Sequence, residues 1–97
     1  MVYYVYVLID DEKNSFYIGS TTKSPQERLS EHNNHIFAGA FTTKHNNWKL
    51  HFQLQCNSHL QALKIEKHLK NMKSKKYLFD LVRYSEMGEK LLNKYLS

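Results

Sequence analysis

Val2-Tyr3-Tyr4-Val5-Tyr6-Val7-Leu8-Ile9, followed by Ser15-Phe16-Tyr17-Ile18-Gly19-Ser20, decides the fold of this chain. Both runs are rich in β-branched and aromatic residues, the composition of strands. The polar run Asp10-Asp11-Glu12-Lys13-Asn14 between them suits a hairpin loop. Pairing Ile9 with Asn14 across a four-residue loop sets Tyr6 opposite Tyr17. Val5, Val7 and Ile9 then share the other face with Phe16 and Ile18. That face is the better core, and the tyrosines are left on the more polar one.

Ser24-Pro25-Gln26-Glu27 is a helix start, with Ser as N-cap, Pro at the first position and Glu closing a capping box. This helix is expected to reach about Asn34. Its chief apolar residue is Leu29, so most of it should face solvent or a ligand. Residues 35 to 47 read as a loop. Trp48, Leu50, Phe52, Leu54 and Cys56 alternate with Lys49, His51, Gln53 and Gln55, which predicts a third strand with one apolar face. Ser58-His59-Leu60-Gln61 opens another helix, to about Lys73, with Ala62, Ile65, Leu69 and Met72 as its buried stripe. Helical segments over roughly 75–83 and 86–95 complete the order ββαβααα. The expected fold class is α+β: a small three-stranded antiparallel sheet flanked by helices.

Ninety-seven residues without a linker, repeat or low-complexity segment predict a single domain, 1–97. Fourteen Lys and Arg against nine Asp and Glu give a net charge of +5, which favours a polyanionic partner. A solvated basic face would give the same balance. The lone Cys56 excludes an internal disulfide and a cysteine-built zinc site, and reads as a small core residue. Met1 leads directly into a strand-like run, unlike a signal peptide, and no apolar stretch approaches the roughly 20 residues that span a bilayer. A reducing, cytoplasmic setting without a membrane is expected.

Four features carry candidate chemistry. Tyr6 and Tyr17 project from one face of the hairpin, where cross-strand packing alone would also place them. Arg28 and His32 share a face of the first helix, which a solvated basic surface also explains. Glu66 lies at the edge of the Ala62–Ile65–Leu69 stripe, where a carboxylate needs a cation. That cation is either a metal ion or Lys70, four residues on. Lys64, Lys67, Lys70, Lys73, Lys75 and Lys76 offer a track for phosphates or a solvated face. Phosphodiester cleavage needs a base for water, a cation over the phosphate oxygens and a metal ion. These side chains can supply each part.

Tyr4-Val5-Tyr6-Val7-Leu8 with Phe16-Tyr17-Ile18-Gly19-Ser20 resembles the paired strand motifs of the GIY-YIG nuclease superfamily. Tyr17-Ile18-Gly19 matches the second motif, while Tyr4 stands where the first has glycine. Arg28 and His32 fall where the family's next helix bears an arginine and a histidine. Phe41-Thr42-Thr43-Lys44-His45 with Trp48-Lys49-Leu50 resembles the linker and third strand of short stand-alone bacterial members. Ala62-Leu63-Lys64-Ile65-Glu66, then Leu69-Lys70 and Met72-Lys73-Ser74, resembles their glutamate-bearing helix. The likeness runs over about residues 2–82 and extends to the catalytic domains of the excinuclease C subunit and of GIY-YIG homing endonucleases. No asparagine stands between Tyr77 and Tyr84, where many larger members have one.

The resemblance implies a divalent-metal-dependent endonuclease acting on DNA, with a tie to repair or recombination. Glu66 would hold Mg²⁺ or Mn²⁺, Arg28 would brace the phosphate, and His32 would orient water or phosphate. Tyr6 and Tyr17 are both candidates for the base that deprotonates water. Lys44 joins the lysines above as a nucleic-acid contact. The alternative is a nucleic-acid-binding module that retains the fold without turnover, and a protein partner is compatible with either.

Overall fold

The structure, a computed structural model, describes residues 2–34 and 47–96. Strand β1 (Tyr3–Asp10) forms a hairpin with β2 (Ser15–Thr21), and α1 (Pro25–Asn33) follows. Strand β3 (Lys49–Cys56) then precedes α2 (His59–Met72), α3 (Lys75–Arg83) and α4 (Ser85–Lys94). The sheet order is β2-β1-β3, antiparallel throughout, so the expected α+β class and the order ββαβααα are found. Among the described residues no helix is long and apolar enough to cross a membrane.

The hairpin register differs from the sequence expectation by two residues. Asp10 pairs with Ser15, Leu8 with Tyr17 and Tyr6 with Gly19. A shift of two preserves which face each side chain takes. Val5 and Val7 therefore still share a core with Phe16 and Ile18, under α2, α3 and α4. Tyr6 and Tyr17 become diagonal neighbours, with ring centroids 6.2 Å apart. Their face is not the polar one expected: Tyr6, Leu8 and Trp48 form a second, smaller core with Tyr17, Leu29 and Leu50.

The apolar alternation of β3 does not lie on one face. Val7 pairs with Phe52 but Leu8 pairs with Leu50, leaving His51 as the extra residue of a β-bulge. Phe52, Leu54 and Cys56 join the main core, whereas Trp48 and Leu50 join the second. His51, on the bulge, meets Leu78 O through Nε2 at 2.8 Å. An unbroken period of two conceals a change of sides.

The helix starts follow their caps. Ser24 Oγ accepts from Glu27 N at 3.2 Å with Pro25 at the first position, and Ser58 Oγ accepts from Gln61 N at 3.1 Å. Gln61 does more than cap: its Oε1 accepts from Asn57 N at 2.6 Å and its Nε2 donates to Leu92 O at 2.8 Å, tying α2 to α4. Ala62, Ile65 and Leu69 are buried as expected. Met72 is 42 % exposed, because α2 ends there and the chain turns at Lys73 with a positive φ of 49°. Ser74 then caps α3 by accepting from Tyr77 N at 3.1 Å.

A side-chain amide fastens helix α1 to the residue just before β3. Asn33 Nδ2 donates to Trp48 O at 2.9 Å, and Asn33 Oδ1 accepts from Trp48 N at 2.7 Å. This clamp lays α1 over the second core and presses buried His32 against the tyrosines.

Candidate active site

Gly19 and Tyr6 face each other across the hairpin. A β-carbon built on Gly19 would stand 2.8 Å from the Tyr6 hydroxyl and 2.9 Å from Cζ. The phenol therefore crosses the edge strand β2 through the space that the glycine leaves. Beneath it the Tyr6 hydroxyl meets His32 Nε2 at 3.0 Å. Tyr17 packs its ring on the same imidazole, centroids 4.6 Å apart, and against Trp48 at 6.5 Å.

Tyr6 is only 3 % exposed, and burial pushes its phenol well above the ordinary value. Neighbouring Tyr17, Glu66 and Glu31 reinforce that shift, and Arg28 opposes it. One hydroxyl thus lies in the fields of Arg28 and Glu66 together, although they come from different helices. Burial, then the Arg28 charge, lowers the His32 pKa, with Glu31 working against both. At neutral pH the imidazole is uncharged.

Arg28 is held in place by its neighbours. Its Nε donates to Thr21 Oγ1 at 2.9 Å, and one terminal nitrogen donates to Glu31 Oε1 at 3.0 Å. Glu31 also takes Lys23 Nζ on its other oxygen at 2.8 Å, and these cations hold its carboxyl below the usual range. Thr21 and Glu31 were not singled out from the sequence. The three-residue spacing of Arg28 and Glu31 was the available sign of their pairing. Arg28 and Thr21 also line a cleft of about 220 Å³ between β2 and the start of α2, with Tyr3, Ser20, Thr22, His59 and Ala62 as its other walls.

Glu66 is half-buried on α2, and its Oε2 accepts from Lys70 Nζ at 2.6 Å. The ion pair weighed above is therefore formed. Oε1 takes no hydrogen bond among the described residues. No group of three or more His, Cys, Asp and Glu suited to a metal ion occurs among those residues. A single carboxylate nevertheless fits Mg²⁺ or Mn²⁺ at a phosphoryl site, because a hard hydrated ion keeps several waters and takes further oxygens from the substrate.

The lysines do not form one track. Lys64 and Lys67 line a groove of about 470 Å³ with His68, Asn71, Met72 and Tyr95. Lys70 lies on Glu66, Lys75 donates to Asn14 O at 2.8 Å, and Lys76 pairs with Asp80 at 2.8 Å. Lys73 is the C-cap of α2. Lys44 lies outside the described residues.

A family model described as the GIY-YIG catalytic domain matches residues 2–78. The chain belongs to the GIY-YIG family. That span holds both tyrosine strands, Arg28, His32 and Glu66. The fold is thus of nuclease type, and GIY-YIG domains are generally endonucleases that act on nucleic acid. Neither the search of curated proteins nor that of solved structures finds a match.

Proposed function

We propose that this GIY-YIG domain is a divalent-metal-dependent endonuclease that hydrolyses DNA phosphodiester bonds. The observation that carries the reading is the Tyr6 hydroxyl. It is bonded to a neutral imidazole and lies in the combined fields of a guanidinium and a carboxylate. Arg28, its plane fixed by Thr21 and Glu31, grips the scissile phosphate and offsets charge developing on it. Tyr6 orients the attacking water and takes its proton as the phenol's own proton passes to Nε2 of His32, a relay that its suppressed acidity requires. Tyr17 holds the imidazole in that orientation. Glu66 would hold the metal ion, which when bound polarises the phosphate and stabilises the leaving oxygen.

The Glu66–Lys70 pair favours a second reading, a binding module that retains the fold on nucleic acid without turnover. Incubation of the purified protein with labelled duplex, flap, branched and single-stranded DNA separates the two. Hydrolysis with Mg²⁺ or Mn²⁺ that stops with chelator supports the nuclease. Salt-dependent binding with every strand left intact supports the module.

A further inference from the structure

Tyr3 and His59 form a near-parallel stack in the lining of the cleft beside Arg28, with centroids 5.4 Å apart and planes 16° from parallel. Neither residue belongs to the machinery described above. Tyr3 packs against the main core, so its ring is a fixed platform. His59 is exposed, and its imidazole stacks on Tyr3 with one side only, so the pair presents an accessible ring. Such an accessible, pre-stacked ring in a cleft wall is what a nucleobase needs from a protein. The remaining walls suit the same guest. Ser20 and Thr22 offer hydroxyls that donate or accept as a base edge requires, and Ala62 offers a smooth apolar floor.

Position ties this cleft to the scissile bond. His59 and Glu66 lie on the same flank of α2, seven residues apart, which is about 10 Å along the helix axis. Arg28 belongs both to the cleft and to the phosphate grip. A strand whose phosphate lies between Arg28 and Glu66 therefore carries a neighbouring nucleotide past His59.

We infer that Tyr3 and His59 form a base-stacking subsite that takes one unpaired nucleobase next to the scissile phosphate. The inference rests on the hydrolytic reading for the place of that phosphate. It gives the substrate a definite feature, a nucleotide unstacked from its duplex or already single-stranded at that position. A base inside a continuous duplex stack has no free face to offer.

The test measures binding with chelator present, so that no strand is cut. The probes are a mixed-sequence single-stranded DNA carrying 2-aminopurine and an abasic strand of the same length. The parent protein is expected to change 2-aminopurine fluorescence as a stacked base does. His59→Ala, at an exposed position, should melt near the parent temperature. It should weaken the base-bearing strand about tenfold, while the abasic strand changes by less than about twofold. His59→Phe should restore binding, since it keeps the ring and discards the ring nitrogens.

Equal weakening of both strands, or failure of the Phe variant to restore binding, would place the imidazole on a phosphate and overturn the subsite. A parent protein that leaves 2-aminopurine unchanged overturns it as well. Cleavage in Mg²⁺ or Mn²⁺ is scored separately. Stacking without hydrolysis overturns the nuclease reading and leaves the subsite standing, whereas hydrolysis with no discrimination against abasic DNA does the reverse.

Discussion

The Tyr6 hydroxyl stands 2.8 Å from the point where a β-carbon on Gly19 would be. No side chain other than hydrogen leaves room for the phenol over β2. Gly19→Ala must displace Tyr6, and a forced shift in a packed site costs about 1–3 kcal/mol. Urea titrations should show that loss. Tyr6→Phe removes the closest atom, so Gly19→Ala in that background should cost less than in the parent. Strict additivity of the two substitutions would show that Tyr6 does not feel the alanine.

Tyr6→Phe and Tyr17→Phe should separate in single-turnover cleavage. Each removes one hydroxyl and keeps a ring. Tyr6→Phe loses the proton route to His32 and should fall by about 10²- to 10⁴-fold. Tyr17→Phe keeps its contact with the imidazole and should fall far less. The opposite ranking would move the base to Tyr17.

Burial of His32 and His68 sets a pH dependence. Both imidazoles have folded-state values lowered first by burial, with Arg28 assisting at His32 and Lys94 at His68. A lowered histidine binds fewer protons folded than unfolded. Its contribution is therefore complete above the unfolded value of about 6.5 and is lost as pH falls through the lower folded value. Thermal melts should be level from pH 8 to about 7 and decline below about 6.5. His32→Gln and His68→Gln should each flatten part of that decline. Cleavage by the parent should fall over the same acid range, because a charged His32 accepts no proton. A rate that rises on acidification would contradict the proton route.

Glu66→Gln keeps the shape of the side chain and removes its charge. Metal-dependent cleavage should collapse while the melting temperature changes little, since the Lys70 pair is largely exposed on the lysine side. Lys70→Met tests the same carboxylate from the other side. Freed of its ammonium, Glu66 should bind Mn²⁺ more tightly, and half-maximal cleavage should need less metal. An unchanged Mn²⁺ requirement would show that Lys70 does not compete with the ion.

Arg28→Lys should lose about 10²-fold or more in cleavage, as an ammonium cannot hold Thr21, Glu31 and phosphate in one plane. Its measurement beside a thermal melt separates a lost grip from a lost fold.

Much of this was legible in the chain. The helix starts were written locally, because Ser24 and Ser58 cap through their own hydroxyls within one turn. The faces of β1 and β2 were equally readable, since side chains alternate whatever the register. The register itself was not, because a slip of two residues leaves the same alternation. Tyr6 was expected on the more polar face for a related reason. Its burial depends on Leu29 and His32 from α1 and on Trp48, far along the chain, and no local pattern reports that meeting. Met72 fits the helical period of its stripe but lies where α2 ends, so period alone overstates its burial. At the candidate site, Tyr6, Tyr17, Arg28, His32 and Glu66 were named as candidates from the sequence, while Thr21 and Gly19 meet them over distances of a few ångströms that spacing does not encode.

The unmatched His51 also explains how one strand serves two interiors. A regular strand sends residues two apart to the same side, so Leu50 and Phe52 could not both be buried where they are. The bulge uses one residue to change sides, which lets Leu50 stand opposite Leu8 while Phe52 stands opposite Val7. Deleting His51 would leave both pairings in place, and with them the strand that carries the Tyr6 hydroxyl. It would remove the imidazole contact with Leu78 O and the local bend. The bulge is a splice between two half-strands, one for each core.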